Sequence, residues 1–386
     1  MRWFGFGFNA FGQICVPENL TKEEDSDASK EVKVFHPKEL RSYVERSGCC
    51  LKTSRISASW SRRASLHLDG DSRVSLTGFE AGGISVEDSR GCKDAHISES
   101  YLTLVFLDRI ECWNLQEEEK TPSWSMEIQS HLERSGYPLN LPLVTGGYIA
   151  PKPPFYRPLS PHLTAKSLAL GAKHAILLSV SGAVYTWGLG SHGQLGHGGL
   201  TSEEEPRVVE ALWGMPMSCV ATGGWHSVCI SDGGDLYVWG WNESGQLGLP
   251  SRGLRTAQQQ QQQSSKQAEA LCQDTASSPS EKPQDGEKHE VFISIQAFPA
   301  LLDVTPSCEI RTISCGSRHT AAVTTTGELY TWGWGEYGQL GHQTLISLDE
   351  PQRVEFFKEQ QMCVVDVVCG AWNTFAAVAK EEVACS

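Results

Sequence analysis

Three sets of residues in this chain have types and spacings that could do chemistry. Gly188-Leu-Gly190-Ser-His-Gly193 and Gly333-Trp-Gly335-Glu-Tyr-Gly338 both spell G-x-G-x-x-G, a pattern that lets a dinucleotide pyrophosphate approach a helix N-terminus. That use requires a helix directly afterwards. Gln-Leu-Gly follows instead, with no helical periodicity, so the glycines are read as supplying positive φ and close packing. His174, His226 and His319 could offer imidazoles to a metal, but none has a second histidine at ligand spacing. Each is read as a structural histidine whose ring finds a hydrogen-bond partner. Gln194, Gln246 and Gln339 carry amides suited to capping the backbone of their own loops. The sequence contains no G-x-S-x-G elbow, P-loop or H-E-x-x-H. No catalytic, metal-ligating or cofactor-binding residue is assigned, and no cofactor is expected.

These residues recur in one order, in the stretches 168–197, 220–249 and 310–343. The distance from histidine to glutamine is 20 residues each time. Fixed spacing of this kind marks a repeat architecture. Each unit reads as a strand before a glycine, an apolar strand opened by the histidine, and a third strand ending in Trp187, Trp239 or Trp332. A glycine-rich loop follows. Those tryptophans are expected to pack between units. Pro206 and Pro351 each lie ten residues past the loop's last glycine and place a fourth, outermost strand, where a sheet edge tolerates proline.

The chain begins and ends inside a unit. Residues 3–14 match a second half, and residues 367–378 match a first half with Asn373 in the histidine slot. Joined, they complete one unit, and closure of this kind removes exposed strand edges. The expectation is an all-β fold: a single β-propeller domain over 1–386, made of four-stranded blades and closed by pairing the N- and C-terminal strands within one blade. Six units can be counted, with 56–79 and 94–113 as worn copies. A seventh could lie in 115–165, where 124–128 and 141–144 are candidate strands.

Three segments depart from the repeat. Residues 17–55 are polar and read as a loop. Residues 251–290 contain six consecutive glutamines, Gln258–Gln263, and little apolar sequence. They read as a disordered insertion loop. Residues 114–165 hold a proline- and aromatic-rich stretch, and Tyr148, Phe155, Tyr156 and Arg157 are the candidate protein-binding residues, since aromatic and arginine side chains anchor interfaces. The alternative is that this segment merely packs against the propeller.

The formal net charge of −14 disfavours a large phosphate-binding surface. Arg62-Arg63 is one local basic candidate, otherwise solvated surface. The 13 cysteines are scattered, without Cys-x-x-Cys, and read as reduced thiols of a nuclear or cytosolic protein. No apolar run is long enough to span a membrane, and the glycine-broken N-terminus is a poor signal sequence.

The units, W-G-x-x-x-x-G-Q-L-G preceded by G-x-x-H, resemble the regulator of chromosome condensation repeat family, a seven-bladed β-propeller. The match is specific over 166–250, 310–380 and 3–14. Gly223–Cys229, Trp239–Gly245, Phe298–Asp303 and Phe155–Leu159 resemble more closely a vertebrate branch of that family whose member partners a JmjC-type oxygenase. This resemblance implies a non-enzymatic scaffold in the nucleus or on chromosomes, with some presence in the cytoplasm. It further implies a monomeric propeller paired with that oxygenase and touching histones only indirectly. Its role would lie in histone H3 lysine 36 methylation, repression of centromeric repeats, chromosome segregation and spindle organisation. The founding member promotes nucleotide exchange on a Ran-type GTPase, so exchange activity is the alternative. No exchange-factor residue beyond the structural repeat can be matched here.

Overall fold

A computed structural model describes residues 1–15, 32–40, 43–44, 50–68, 70–79, 85–117, 121–128, 140–256, 291–304 and 308–379. Short β-branched and aromatic runs punctuated by glycine give strands throughout. β1 (Arg2–Phe8) and β2 (Lys33–Glu39) come first, followed by a small ladder of β3 (Tyr43–Val44) with β4 (Cys50–Leu51). Blade 1 comprises β5 (Thr53–Ala58), β6 (Arg62–His67) and β7 (Arg73–Gly78). Blade 2 comprises β8 (Asp94–Ile97), β9 (Tyr101–Val105), β10 (Arg109–Asn114) and β11 (Trp124–Glu127). Blade 3 is β12 (Leu143–Val144), β13 (Gly147–Ile149) and β14 (Tyr156–Pro158). Blade 4 runs β15 (Ala165–Leu170), β16 (His174–Ser179), β17 (Val184–Gly188) and β18 (Glu203–Val208). Blade 5 runs β19 (Met217–Thr222), β20 (His226–Ser231), β21 (Leu236–Trp241) and β22 (Ile295–Leu302). Blade 6 runs β23 (Ile310–Cys315), β24 (His319–Thr324), β25 (Leu329–Gly333) and β26 (Leu348–Arg353). β27 (Val364–Cys369) and β28 (Asn373–Val378) then join β1 and β2 as blade 7, in the order β2-β1-β28-β27. The fold is a seven-bladed β-propeller of antiparallel blades.

The termini close the ring as the half-units require. β1 pairs with β28 from Arg2↔Val378 to Gly7↔Asn373. Trp3, Phe4 and Phe6 lie in one buried cluster with Phe375 and Phe357, so the closing blade has a core of its own. The histidine-led strands are buried at every position in β16, β20 and β24, and β28 matches them. A continuous apolar run is what a strand covered on both faces needs, and here the adjoining blades cover it. The outer strands are half-exposed and carry Pro37, Pro206, Pro299 and Pro351. Their ladders shift register opposite the third strand's end, between Thr186 and Gly188, Val238 and Gly240, Thr331 and Gly333, and in β1 between Gly5 and Gly7.

Two segment expectations change. Residues 17–55 are not all loop: β2 is the outer strand of the closing blade, with Val34 and Pro37 turned inward. Residues 114–165 are not outside the repeat either: they supply β11 of blade 2 and the whole described part of blade 3. The additional blade takes the strand expected at 141–144 as its β12, whereas the strand expected at 124–128 is β11, the outer strand of blade 2. Most of the glutamine-rich insertion, 257–290, lies outside the described residues.

Candidate functional site

The glycine that follows each third-strand tryptophan decides what one face of the propeller presents. Gly188, Gly240 and Gly333, with Gly7 and Gly78 in the same place, all have φ between +103° and +115°. A Cβ on any of them would overlap the backbone carbonyl of the residue before the histidine slot. Only glycine lets the two strands approach this closely. The next N–H then donates to that same carbonyl: Leu189 to Lys173 (2.8 Å), Trp241 to Trp225 (2.9 Å), Trp334 to Arg318 (2.8 Å), Phe8 to Trp372 (2.9 Å) and Phe79 to Ser61 (3.0 Å). Two variable repeat positions are thereby pinned side by side on the loop face of every clear blade. The residue two before the loop glutamine (His192, Ser244, Tyr337 or Phe11) joins them.

In blades 5, 6, 7 and 1 most of these positions carry aromatic rings; Ser244, Arg318 and Ser61 are the exceptions, and Trp60, next to Ser61, supplies a ring in blade 1. His192 meets Trp225 at 5.1 Å and Trp241 at 5.5 Å. The Arg318 guanidinium lies 4.8 Å over Trp241 and leads to Trp334. Trp334 packs on Tyr337 and on Trp372, each at 4.9 Å. Tyr337 meets Phe8 at 5.0 Å, and Phe8 stacks on Trp60 at 6.2 Å. Phe11 touches Trp60 at 5.7 Å and Phe79 at 5.4 Å. The result is an arc of rings from the blade 4 loop to blade 1. Trp60 is 44% exposed and Phe79 53%, while Trp225, Trp241, Trp334, Tyr337 and Trp372 are half-buried. Lys33 lies over Tyr337 and Arg62 over Phe79, a cation–π arrangement that holds charge beside the rings. Fixed, part-exposed aromatics with arginine among them have the composition of an interface core.

The loops carrying this arc are locked from beneath. Each loop glutamine accepts a hydrogen bond from the N–H two residues earlier: Gln194 from His192 (2.8 Å), Gln246 from Ser244 (2.9 Å), Gln339 from Tyr337 (3.0 Å) and Gln13 from Phe11 (3.1 Å). The glutamine carbonyls in turn receive hydroxyls from the next blade. Ser227 donates to Gln194 O (2.8 Å), Thr320 to Gln246 O (2.7 Å) and Thr374 to Gln339 O (2.8 Å). Those hydroxyl oxygens are left to accept from His174 Nε2 (2.9 Å), His226 Nε2 (2.9 Å) and His319 Nε2 (3.0 Å). This geometry assigns the proton of each neutral ring to Nε2. Trp239 and Trp332 also donate to the carbonyls of Gln194 and Gln246, so they tie blade to blade. Trp187 packs edge-on against Tyr148 of blade 3 at 6.0 Å. Burial holds His174 down to about 4 and His226 and His319 down to about 3.

The candidate binding residues of the proline-rich segment separate. Phe155 is 5% exposed and packs on Tyr101 at 4.9 Å and Trp124 at 5.7 Å. It is a core residue between blades 2 and 3, not a surface anchor, because blade 3's short strands leave a space that its ring fills. Tyr148 and Tyr156 are half-buried, and Arg157 is exposed. The Arg62-Arg63 pair is corrected too, since both residues are buried. Arg62 occupies the histidine slot of blade 1 and donates to Glu99 O (2.7 Å). Arg63 stands where blades 5, 6 and 7 have Ser227, Thr320 and Thr374, and it lies over the Phe375 ring. Among the described residues no three His, Cys, Asp or Glu side chains converge to hold a metal, and no helix is long and apolar enough to cross a membrane. The arc itself escaped the sequence reading. Its one sequence signal is aromatic type at repeat positions where the fold imposes none.

Comparison with known proteins bears on the repeat directly. The profile described as Regulator of chromosome condensation (RCC1) repeat matches residues 181–230, 233–267 and 326–377, and a second of the same description matches 165–194, 218–246 and 310–339. RCC1 domain-containing protein 1 of Homo sapiens is 42% identical, covering 97% of this chain and 96% of its own length. The chain belongs to the regulator of chromosome condensation repeat family. The mouse protein of the same name is 41% identical over 97% of this chain and 96% of its own. Among solved propellers, Prp20p of Saccharomyces cerevisiae superposes with a TM-score of 0.66 at 15% identity. That superposition covers 98% of this chain and 91% of Prp20p, a likeness of fold. Prp20p was described together with its binding to Gsp1p and histones, and also bound to Kap60. Prp20p thus carries protein partners, and this chain shares its propeller fold.

Proposed function

We propose that this chain is a non-enzymatic scaffold that holds a protein partner on its aromatic face, and that the partner is a JmjC-type oxygenase. The observation that carries the binding role is the arc of rings from His192 to Phe79, fixed in place and left part-exposed at positions where the repeat demands no aromatic residue. The reading includes the role in chromatin regulation that the resemblance implies: histone H3 lysine 36 methylation, repression of centromeric repeats, chromosome segregation and spindle organisation, with the protein in the nucleus. Identity along nearly the whole length of a human relative supports it. A second reading, nucleotide exchange on a small GTPase, draws support from the fold shared with Prp20p, described as binding Gsp1p. Fold alone does not carry activity from one protein to another.

Affinity capture from nuclear extract tests the proposal. Wild type, Trp334→Ala/Trp372→Ala and Trp60→Ala/Phe79→Ala baits would be compared, with Arg157→Ala as the control. The oxygenase should come down with wild type and the control and be depleted about tenfold or more by either arc variant, as for loss of interface anchors. Equal recovery by all four baits refutes the assignment. A small GTPase recovered instead, with faster GDP release in the presence of the purified chain, establishes the second reading.

A further inference from the structure

On the opposite face from the arc, a groove opens at the outer side of blade 4 where the chain crosses to blade 5. Its volume is about 650 Å³, and Tyr185, Val208, Leu212, Trp213, Met215 and Pro216 are among its walls. Trp213 is 84% exposed, far more than the packing of the repeat requires. The propeller carries its own comparison. Val209-Glu210-Ala211-Leu212-Trp213 corresponds to Val354-Glu355-Phe356-Phe357-Lys358 in blade 6. There a full helical turn, α1 (Glu355–Glu359), brings Phe357 into the space at 2% exposure. The Arg353–Glu328 ion pair (2.8 Å) lines it, and only about 260 Å³ remains. In blade 4 the turn is shorter, Glu210–Leu212, Leu212 is buried much as Phe357 is, and Trp213 and Met215 are the exposed apolar residues of the groove, with tryptophan where blade 6 has lysine. The fold tolerates the filled, charged version, so the open apolar version is not a structural necessity.

Charge says what the groove would take. Residues 181–240 contain six acidic residues, Glu203, Glu204, Glu205, Glu210, Asp232 and Asp235, against one cation, Arg207, and Arg207 is paired with Glu203 at 2.6 Å. None of the six lines the groove itself, but Glu210 and Asp232 stand beside residues that do. Glu210 opens the turn that ends in Trp213, whose N–H donates to Glu210 O (3.0 Å). The Asp232 N–H donates to the carbonyl of Pro216 (2.9 Å). Asp235 lies two residues before Tyr237, whose hydroxyl donates to Met215 Sδ (3.5 Å). We propose that this groove is a second docking site, for a partner segment that sets an apolar side chain against Trp213 and Met215 and carries lysine or arginine toward Glu210 and Asp232. A tryptophan face beside carboxylates attracts cations both by its quadrupole and by charge.

The test uses the full chain and two fluorescein-labelled peptides, one of lysine and leucine and one of glutamate and leucine. Anisotropy should show the lysine peptide binding, weakening several-fold as salt rises, and the glutamate peptide failing to bind. Trp213→Lys, which installs the blade 6 residue, and Glu210→Lys should each weaken binding about tenfold. Trp241→Ala, on the arc, should leave it unchanged, which keeps this site separable from the partner face. No binding of the lysine peptide, equal binding of the glutamate peptide, or unchanged affinity in Trp213→Lys each overturns the proposal. So does loss of binding in Trp241→Ala. A wild-type dimer in sedimentation that Trp213→Lys dissociates would show that the occupant is a second copy, and would overturn it as well.

Discussion

Acidification should destabilise this propeller steeply, through three imidazoles. His174, His226 and His319 are buried, with exposures of 4%, 0% and 0%. For each, desolvation is the largest cause of a folded pKa held at about 4, 3 and 3, below the ordinary 6.5. The neighbouring rings press His226 further down. A depressed imidazole means that the unfolded chain takes up the proton first, so stability is intact above 6.5 and falls as pH drops from 6.5 toward 4. Between pH 7.5 and 5.5 each ring costs about 1.4 kcal/mol, and the three together about 4 kcal/mol, a large share of a typical domain's stability. Asp366 works the other way, since burial raises its pKa. The comparison must therefore be with His174→Asn/His226→Asn/His319→Asn, in which Asp366 and the other titrating groups are unchanged. Asn373 shows that the slot accepts an amide. Urea unfolding at both pH values measures the difference. The variant starts less stable because it loses three ring hydrogen bonds, but wild type should lose about 4 kcal/mol more than the variant on acidification. Equal losses in both proteins would refute the account of the buried rings.

Four further outcomes follow from the packing. Gly240→Ala forces a Cβ onto the Trp225 carbonyl at φ +109° and should cost at least about 2 kcal/mol by thermal unfolding, as strained or overpacked sites do. Phe155→Ala should cost about 3–5 kcal/mol as a core truncation, whereas Arg157→Ala should stay within about 0.5 kcal/mol as a surface change. Thr374→Val removes both the acceptor of His319 and the donor to Gln339 O, and should lower stability by about 2 kcal/mol or more in urea unfolding. Deleting residues 1–14 removes β1, leaves β28 with an open edge, and should produce aggregation and a lower melting temperature by light scattering and calorimetry.

Much of the fold was legible because the repeat writes its strands, its glycine loop and its glutamine at one spacing. Blade 7 was legible because its two halves lie at the chain's ends and pair as the unit demands. Blade 3 was hard to see: its strands run two or three residues and lack the histidine, tryptophan and glutamine signals. Phe155 read as an exposed anchor for the same reason, since nothing local shows that it fills the gap beside Tyr101 and Trp124. β2 was hidden by its polar composition, KVFHPKE, although Pro37 stands in an outer strand as Pro206 and Pro351 do. The aromatic face depends on contacts across blade boundaries, such as Phe8 on Tyr337 and Trp334 on Trp372. These arise only once the ring is closed and each register is set.

The central claim is that the ring arc is the partner surface, and side-chain footprinting by hydroxyl radicals reads it most directly. Oxidation rates would be measured for the free protein and for its complex with the purified JmjC oxygenase. The account predicts that Trp225, Trp241, Trp334, Trp372 and Trp60 are protected several-fold in the complex, as buried interface anchors would be. If those five tryptophans oxidise at the free-protein rate while another surface is protected, the aromatic face is not the partner site.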